Sequence, residues 1–255
     1  MDLNLLQKAK GYQEWPFPHI CIEDALPERI YDELERSFPE DIVCNTPALD
    51  GGVTYRYKSN PALTDMRIAP IWRDFFEFHT SPDYFQACVK LFEPHLEAHY
   101  PGWLDAFSIA KVTTRNIDNS GDLVTDCQFV VHEPIGMEGT SRTPHLDNPV
   151  EIYAGLLYMR NPADRSEGGN FTLHEVTQEV DEVNKTRGRE VVSGVHRPVL
   201  EVPYKRNSFC MFLNVKNSVH SVTPRLQPQL RRRSINIIGE FNNTGAMWQV
   251  KEVRS

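Results

Sequence analysis

The sequence predicts an α+β fold in which N-terminal helices cover one face of a β-sandwich or barrel. Three observations predict it. Apolar residues recur at helical spacing up to about residue 100. From about residue 105 the period shortens to that of strands. The later strands are short and separated by Gly, Pro, Asn and Asp, as in sandwiches and barrels. At 255 residues, with 40% hydrophobic and 24% charged, the chain can bury a sizeable core.

Taken in order, residues 14–23 read as an extended opening segment. Its prolines break any helix, and Ile20 alternates with Ile22. Asp24 is placed to cap the following helix, with Pro27 in its first turn, Ile30, Leu34 and Phe38 on its apolar stripe, and Pro39 ending it. Residues 41–63 lack a clear period and predict a long loop with a short strand over 53–57. A helix over 67–79 places Ile71, Phe75 and Phe78 on one stripe, and a second runs from Ser81 to about Tyr100. Strands are expected at 106–114, 124–132, 152–160, 170–174, 191–202, 208–215 and 232–241. With no repeat and no linker, residues 1–255 read as one domain. Residues 1–104 form its mainly helical part and 105–245 its β core.

A formal charge of −8 argues against a protein built to grip nucleic acid, where binding is dominated by phosphate neutralisation. Five cysteines, odd in number and without a Cys-x-x-Cys pair, are expected to be reduced thiols. The N-terminus has no signal-peptide pattern, and no apolar run approaches about 18 residues. The expectation is a cytoplasmic protein without membrane or nucleic-acid partners.

The chemistry is carried by three stretches. Thr143-Pro144-His145-Leu146-Asp147-Asn148-Pro149 holds a His-x-Asp pair. Ser218-Val219-His220 supplies a distant second histidine, and Arg231-Arg232-Arg233-Ser234 follows it. On a strand, residues i and i+2 face the same way, so His145 and Asp147 can meet one metal, with His220 arriving from another strand. Two imidazoles and one carboxylate on one face of a metal suit non-haem Fe(II). Zinc would accept the same ligands but leaves the arginine strand unexplained. Strand alternation puts Arg232, Ser234 and Asn236 on one face, and Arg231, Arg233, Ile235 and Ile237 on the other. The apolar face should lie under the helices and the polar face should look into the barrel. A bulge would exchange Arg232 for Arg231.

These motifs resemble the Fe(II)/2-oxoglutarate-dependent dioxygenases, in particular their prolyl-4-hydroxylase-like branch. The resemblance runs over roughly residues 16–241. It rests on His145-Leu-Asp147-Asn-Pro, Leu157-Tyr158-Met159-Arg160-Asn161, Glu167-Gly168-Gly169-Asn170-Phe171, His220-Ser-Val222-Thr-Pro224 and Arg232-Arg-Ser234, with Pro18 to Pro27 similar to that branch's first strand and helix. It implies a double-stranded β-helix, a cupin-like jelly roll, with the helices on the outer face of its major sheet. It implies His145, Asp147 and His220 as metal ligands, and Arg232 with Ser234 as the clasp for the far carboxylate of 2-oxoglutarate. Tyr158 would assist that clasp, and Gln128 would meet the same acid from a neighbouring strand. Fe(II), 2-oxoglutarate as co-substrate and O2 are the implied cofactors, with ascorbate as an in vitro supplement. The implied reaction hydroxylates an unactivated C–H bond and converts 2-oxoglutarate to succinate and CO2. Asp147 speaks against halogenation, which in similar enzymes needs a small residue there.

The substrate is expected to be a small molecule, an amino acid or a sugar-like metabolite. A peptide or protein proline is the alternative, and a non-catalytic jelly-roll binding protein is the alternative of another class. The charged stretch 175–206 and the loop 136–142 read as coverings of the opening. Arg142, Arg187 and Arg189 are the candidate contacts to an anionic or polyhydroxylated substrate.

Overall fold

The computed structural model describes residues 2–49, 53–134, 142–178, 183–184, 190–191, 195–242 and 245–248. The chain carries seven helices among these residues: α1 (Glu28–Arg36), α2 (Glu40–Cys44), α3 (Ser59–Thr64), α4 (Pro70–His79), α5 (Pro82–Leu91), α6 (Glu93–His99) and α7 (Trp103–Ile109). The strands are β1 (His19–Ile22), β2 (Thr54–Lys58), β3 (Val112–Thr114), β4 (Leu123–His132), β5 (Arg142–His145), β6 (Glu151–Tyr158), β7 (Glu167–Gly168), β8 (Phe171–Val176), β9 (Val183–Asn184), β10 (Glu190–Val191), β11 (His196–Val202), β12 (Phe209–Leu213), β13 (His220–Val222), β14 (Arg225–Leu226) and β15 (Arg232–Phe241).

They form two main sheets. The larger has the order β1-β12-β6-β15-β4-β2, with β3 added to β4, and the smaller β11-β8-β13-β5-β10-β9. This is the expected jelly roll. Strands distant in sequence become neighbours: β15 lies between β4 and β6, and β13 between β5 and β8. The helices pack on the outer face of the larger sheet, as expected. Trp72 and Phe76 of α4 meet Phe129 of β4 at ring-centroid distances of 4.8 and 4.6 Å, and Phe85 of α5 meets Tyr153 of β6 at 5.8 Å. Ile235, Ile237 and Leu157 belong to the same buried cluster. Alternate residues of β4, β6 and β15 therefore face the space between the sheets.

Several local expectations are corrected. Asp24 does not cap α1. It sits in the left-handed region at φ 48, and Pro27 occupies the cap position. The loop expected over 41–63 contains α2 and α3 beside the expected strand. On α4 the buried aromatic partner of Phe75 is Phe76, while Phe78 is 37% exposed. The helix expected to run from 81 to 100 is broken into α5 and α6 at Phe92, because Pro94 starts a new helix there. The strand expected from residue 106 begins only at Val112, since 103–109 is helical. Trp103 and Phe107 explain this: they lie one helical turn apart and pack against Phe241. All five cysteines are free thiols. No helix among the described residues is long and apolar enough to cross a membrane.

Candidate active site

His145 ends β5 and His220 opens β13, and the two are direct cross-strand partners. Their ring centroids are 4.2 Å apart. Each ring is turned by the same device. His145 Nδ1 lies 2.8 Å from the carbonyl oxygen of Thr143, and His220 Nδ1 lies 2.9 Å from that of Ser218. An Nδ1–H donated to a carbonyl leaves Nε2 as the free lone pair, which is how ligating histidines are oriented. Asp147 reaches the site from the loop beyond β5 rather than from the strand, so strand alternation is not what aims it. Its Oδ1 lies 3.6 Å from His145 Nε2 and its Oδ2 3.6 Å from His220 Nε2. Two donors each about 2.1 Å from one ion can be up to roughly 4.2 Å apart, so both gaps fit a single ion. The three residues form one of two clusters of possible metal ligands among the described residues; the other is Glu14, His95 and His99.

Burial and the neighbouring His145 push the His220 imidazolium down to about 4, against the opposing pull of Asp147. The ring is thus neutral near pH 7 and needs to lose no proton to bind metal. A buried asparagine ties both ligand segments together. Asn214 Nδ2 donates to the carbonyls of Asn148 and Glu151 at 2.7 and 2.9 Å, holding the turn after Asp147. Its Oδ1 accepts from Ser218 Oγ at 3.2 Å, next to the carbonyl that orients His220. Sequence reasoning missed Asn214, because nothing local marks it. Its role comes from two segments that meet only in the fold.

The triad opens on a cavity of ≈ 420 Å³ between the sheets, lined also by Arg232, Ser234, Asn236, His132, Arg56 and Arg142. Arg232 and Ser234 face inward, as strand alternation predicted. Arg232 is 5% exposed, and its Nε and Nη2 have no hydrogen-bond partner. Ser234 Oγ and the Tyr158 hydroxyl are buried and unpartnered too. Such a cluster is costly unless a ligand completes it, since buried polar groups are normally paired. The guanidinium is held between the rings of Tyr158 and Tyr204, 5.0 Å from each centroid. Tyr158 pairs directly with Ser234 across β6 and β15. Burial raises its hydroxyl pKa, with the Arg232 charge pulling the other way, so it stays a hydrogen-bond donor.

Arg231, the alternative had a bulge intervened, points to the outer side. It is paired with Glu133 at 2.8 Å and Glu40 at 3.3 Å. No bulge shifts β15 against β4 between Arg232 and Phe241. Gly168 and Gly169 both have positive φ and make the turn before β8. A Cβ at Gly169 would lie 2.8 Å from Arg225 Cγ and 3.7 Å from Arg232 Nε, so glycine lets this backbone approach the arginines.

Gln128 lies on the inner face opposite Asn236, but its amide is already engaged. It accepts from Arg56 at 3.1 Å and donates to Asp126 at 2.6 Å. It does not line the cavity with Arg232. Arg142 lies exposed at the cavity wall. Arg187, Arg189 and the loop 136–141 lie outside the described residues. Beyond Asn214, sequence reasoning also missed Arg56 and His132. The signal was present in Thr54-Tyr55-Arg56-Tyr57-Lys58, where aromatic and polar residues alternate. Tyr55 and Tyr57 pack on the core, which leaves Arg56 facing in. His132 pairs across the sheet with Arg232. Burial, helped by the charges of Arg232, Arg56 and Arg225, lowers its pKa to about 3.

The chain matches no protein-family model and no curated protein. Its fold does match solved structures. The non-haem α-ketoglutarate-dependent epimerase SnoN from nogalamycin biosynthesis aligns with a TM-score of 0.51 at 11% identity, over 93% of this chain and 86% of that one. SnoN in complex with Fe3+, α-ketoglutarate and nogalamycin RO aligns at 0.50 and 10% identity, over 88% and 78%. A prolyl 4-hydroxylase from Phytophthora capsici aligns at 0.50 and 16% identity, over 89% of this chain and 60% of that one. The double-stranded β-helix of these proteins is the fold of this chain.

Proposed function

We propose that this chain is an Fe(II)- and 2-oxoglutarate-dependent oxygenase that hydroxylates an unactivated C–H bond of a small molecule, with 2-oxoglutarate converted to succinate and CO2. One observation carries the reading. The cavity that holds a two-histidine, one-carboxylate cluster also holds a buried arginine and serine with unpartnered polar atoms. His145, Asp147 and His220 would hold the iron, whose ligand preference they match. Arg232, Ser234 and Tyr158 would hold the far carboxylate of 2-oxoglutarate, the planar guanidinium matching a carboxylate edge. When bound, iron and 2-oxoglutarate supply the oxygen-activating chemistry.

The protein's own contribution is position and dryness. Tyr158 and Tyr204 fix the Arg232 plane, the carbonyls of Thr143 and Ser218 fix the imidazoles, and Asn214 fixes the turn behind Asp147. Phe171 and Phe212 pack against His220 at centroid distances of 5.3 and 4.7 Å and keep water from that side. The cavity, which holds the triad and Arg232 together, has a volume within the roughly 300–1,000 Å³ of small-ligand sites and suits a small-molecule substrate beside the co-substrate.

The test is succinate formation by the Fe(II)-reconstituted chain, with a metabolite library in one arm and proline-containing peptides in the other. Stimulation by a metabolite, lost in His145→Ala, is the expected result. Stimulation by peptides alone would transfer the reading to protein hydroxylation. Failure of the wild-type chain to bind Fe(II) or 2-oxoglutarate would end it in favour of a non-catalytic binding protein.

A further inference from the structure

Arg56 is a second cation in the same cavity, and nothing in the co-substrate clasp uses it. It lies on β2, the edge strand of the larger sheet, and pairs with Val130, which pairs with Ser234, which pairs with Tyr158. Partners in antiparallel strands share a face, so all four stand in one row, and Arg56, Val130 and Ser234 of it line the cavity. At roughly 4.8 Å per strand, the Arg56 backbone stands about 10 Å from that of Ser234. The guanidinium leans away from Arg232, because Nη1 donates to Gln128 Oε1 at 3.1 Å. Gln128 lies opposite Asn236, four residues and so roughly 13 Å along β15 from Arg232. The two arginines therefore offer separate positions along the cavity wall.

The surroundings of Arg56 suit an oxyanion. No aspartate or glutamate among the described residues forms an ion pair with it, and its one partner is the neutral Gln128 amide. The nearest acid along that chain of contacts, Asp126, is engaged by Ser59, Gln128 and Arg115. Asn236, beside it on the wall, has a buried side-chain oxygen without a partner, an acceptor suited to a donor group of the ligand rather than to its oxyanion. Val130, Ala154, Leu156 and Ile238 form an apolar wall here, with Glu151, itself engaged elsewhere, lining the same cavity.

We propose that Arg56 is the anchor for the substrate: a small molecule with a carbon body and a carboxylate that pairs with the Arg56 guanidinium. This rests on the oxygenase reading, which assigns Arg232 to 2-oxoglutarate and leaves Arg56 for the second reactant. A charged hydrogen-bonded contact of this kind fixes the orientation of the substrate's reacting carbon against the metal centre.

The probe is acetate against acetamide, followed by saturation-transfer NMR of their methyl groups on the chain loaded with Zn(II) and saturating 2-oxoglutarate. Zn(II) allows no turnover, so binding is read without activity. The expected result is saturable transfer to acetate, little to acetamide, and a loss of acetate affinity of roughly tenfold or more in Arg56→Gln. Arg56→Lys should retain part of it, and 2-oxoglutarate affinity should be unchanged in both variants. Acetate binding that is indifferent to Arg56→Gln, equal transfer to acetamide, or no transfer to either probe would overturn the assignment. So would a loss of 2-oxoglutarate affinity in Arg56→Gln equal to that in Arg232→Met, which would make Arg56 part of the co-substrate clasp. Failure of 2-oxoglutarate to bind the wild-type chain would instead strike the oxygenase reading, while the Arg56 dependence of acetate binding would still be read directly.

Discussion

Replacing Arg232 by methionine should make the ligand-free chain more stable and strongly weaken 2-oxoglutarate binding. The two effects share one cause. Arg232 is 5% exposed, no carboxylate pairs with it among the described residues, and two of its nitrogens lack any partner. A buried charge in that state destabilises the fold, and a well-packed apolar side chain of similar size relieves about 1–4 kcal/mol. Against this stands the loss of the contacts to the Tyr158 and Tyr204 rings, each 5.0 Å from the guanidinium carbon and together worth about 1–2 kcal/mol. The difference runs from about −1 to 3 kcal/mol with its centre near +1 kcal/mol, or roughly 2–4 °C in Tm for a chain of this size.

Binding should move the other way. Two charge-assisted hydrogen bonds in a buried site are worth about 3–6 kcal/mol together, so 2-oxoglutarate affinity should fall by roughly 10²–10⁴. Differential scanning fluorimetry with and without 2-oxoglutarate, and titration calorimetry in the presence of Zn(II), read both quantities. Arg231→Met is the control. Its pairs with Glu133 and Glu40 are partly exposed, so it should cost less than about 1 kcal/mol and leave 2-oxoglutarate affinity unchanged. A destabilised Arg232→Met that still binds 2-oxoglutarate normally would refute the reasoning.

Two further outcomes follow from other parts of the fold. Gly168→Ala should destabilise by about 2 kcal/mol or more, read as a fall in the denaturant midpoint. Its φ is +76 and a Cβ would lie 2.0 Å from the Pro224 carbonyl oxygen, a backbone atom that cannot swing aside; a midpoint within error of wild type would contradict this. Stability should also fall as pH drops below about 6.5. Burial lowers the pKa of His79 to about 3, so between those limits the unfolded chain binds the proton and the folded chain does not. The stability is therefore complete above 6.5 and lost progressively toward 3. His79→Phe should flatten that limb by a few kcal/mol between pH 7 and 4, measured by urea unfolding at each pH, and an unchanged slope would show that the ring titrates normally.

The sequence alone determined the periods, and through them the layers. Helical spacing before residue 100 and strand spacing after it were enough for helices over a sandwich or barrel, and the resemblance of the motifs narrowed that to a jelly roll. The alternation in β15 placed Arg232 and Ser234 inward and Ile235 and Ile237 under the helices. These features were legible because they depend on residues one to four positions apart, and local backbone geometry acts at that range. The two histidines were legible as a pair from metal-ligand chemistry, supported by the resemblance of their motifs. Tertiary structure decided what local spacing does not carry. The cross-strand pairing of β5 with β13 set His145 against His220, and the fold gave Asn214 its hold on both ligand segments. Packing against Phe241 turned the expected strand at 106–109 into helix, overriding its period. The edge position of β2 brought Arg56 into a cavity whose walls, Leu49 apart, are contributed by residues 74 to 182 positions further along the chain. Contacts of that separation depend on which strands become neighbours, and that is a property of the closed sheets.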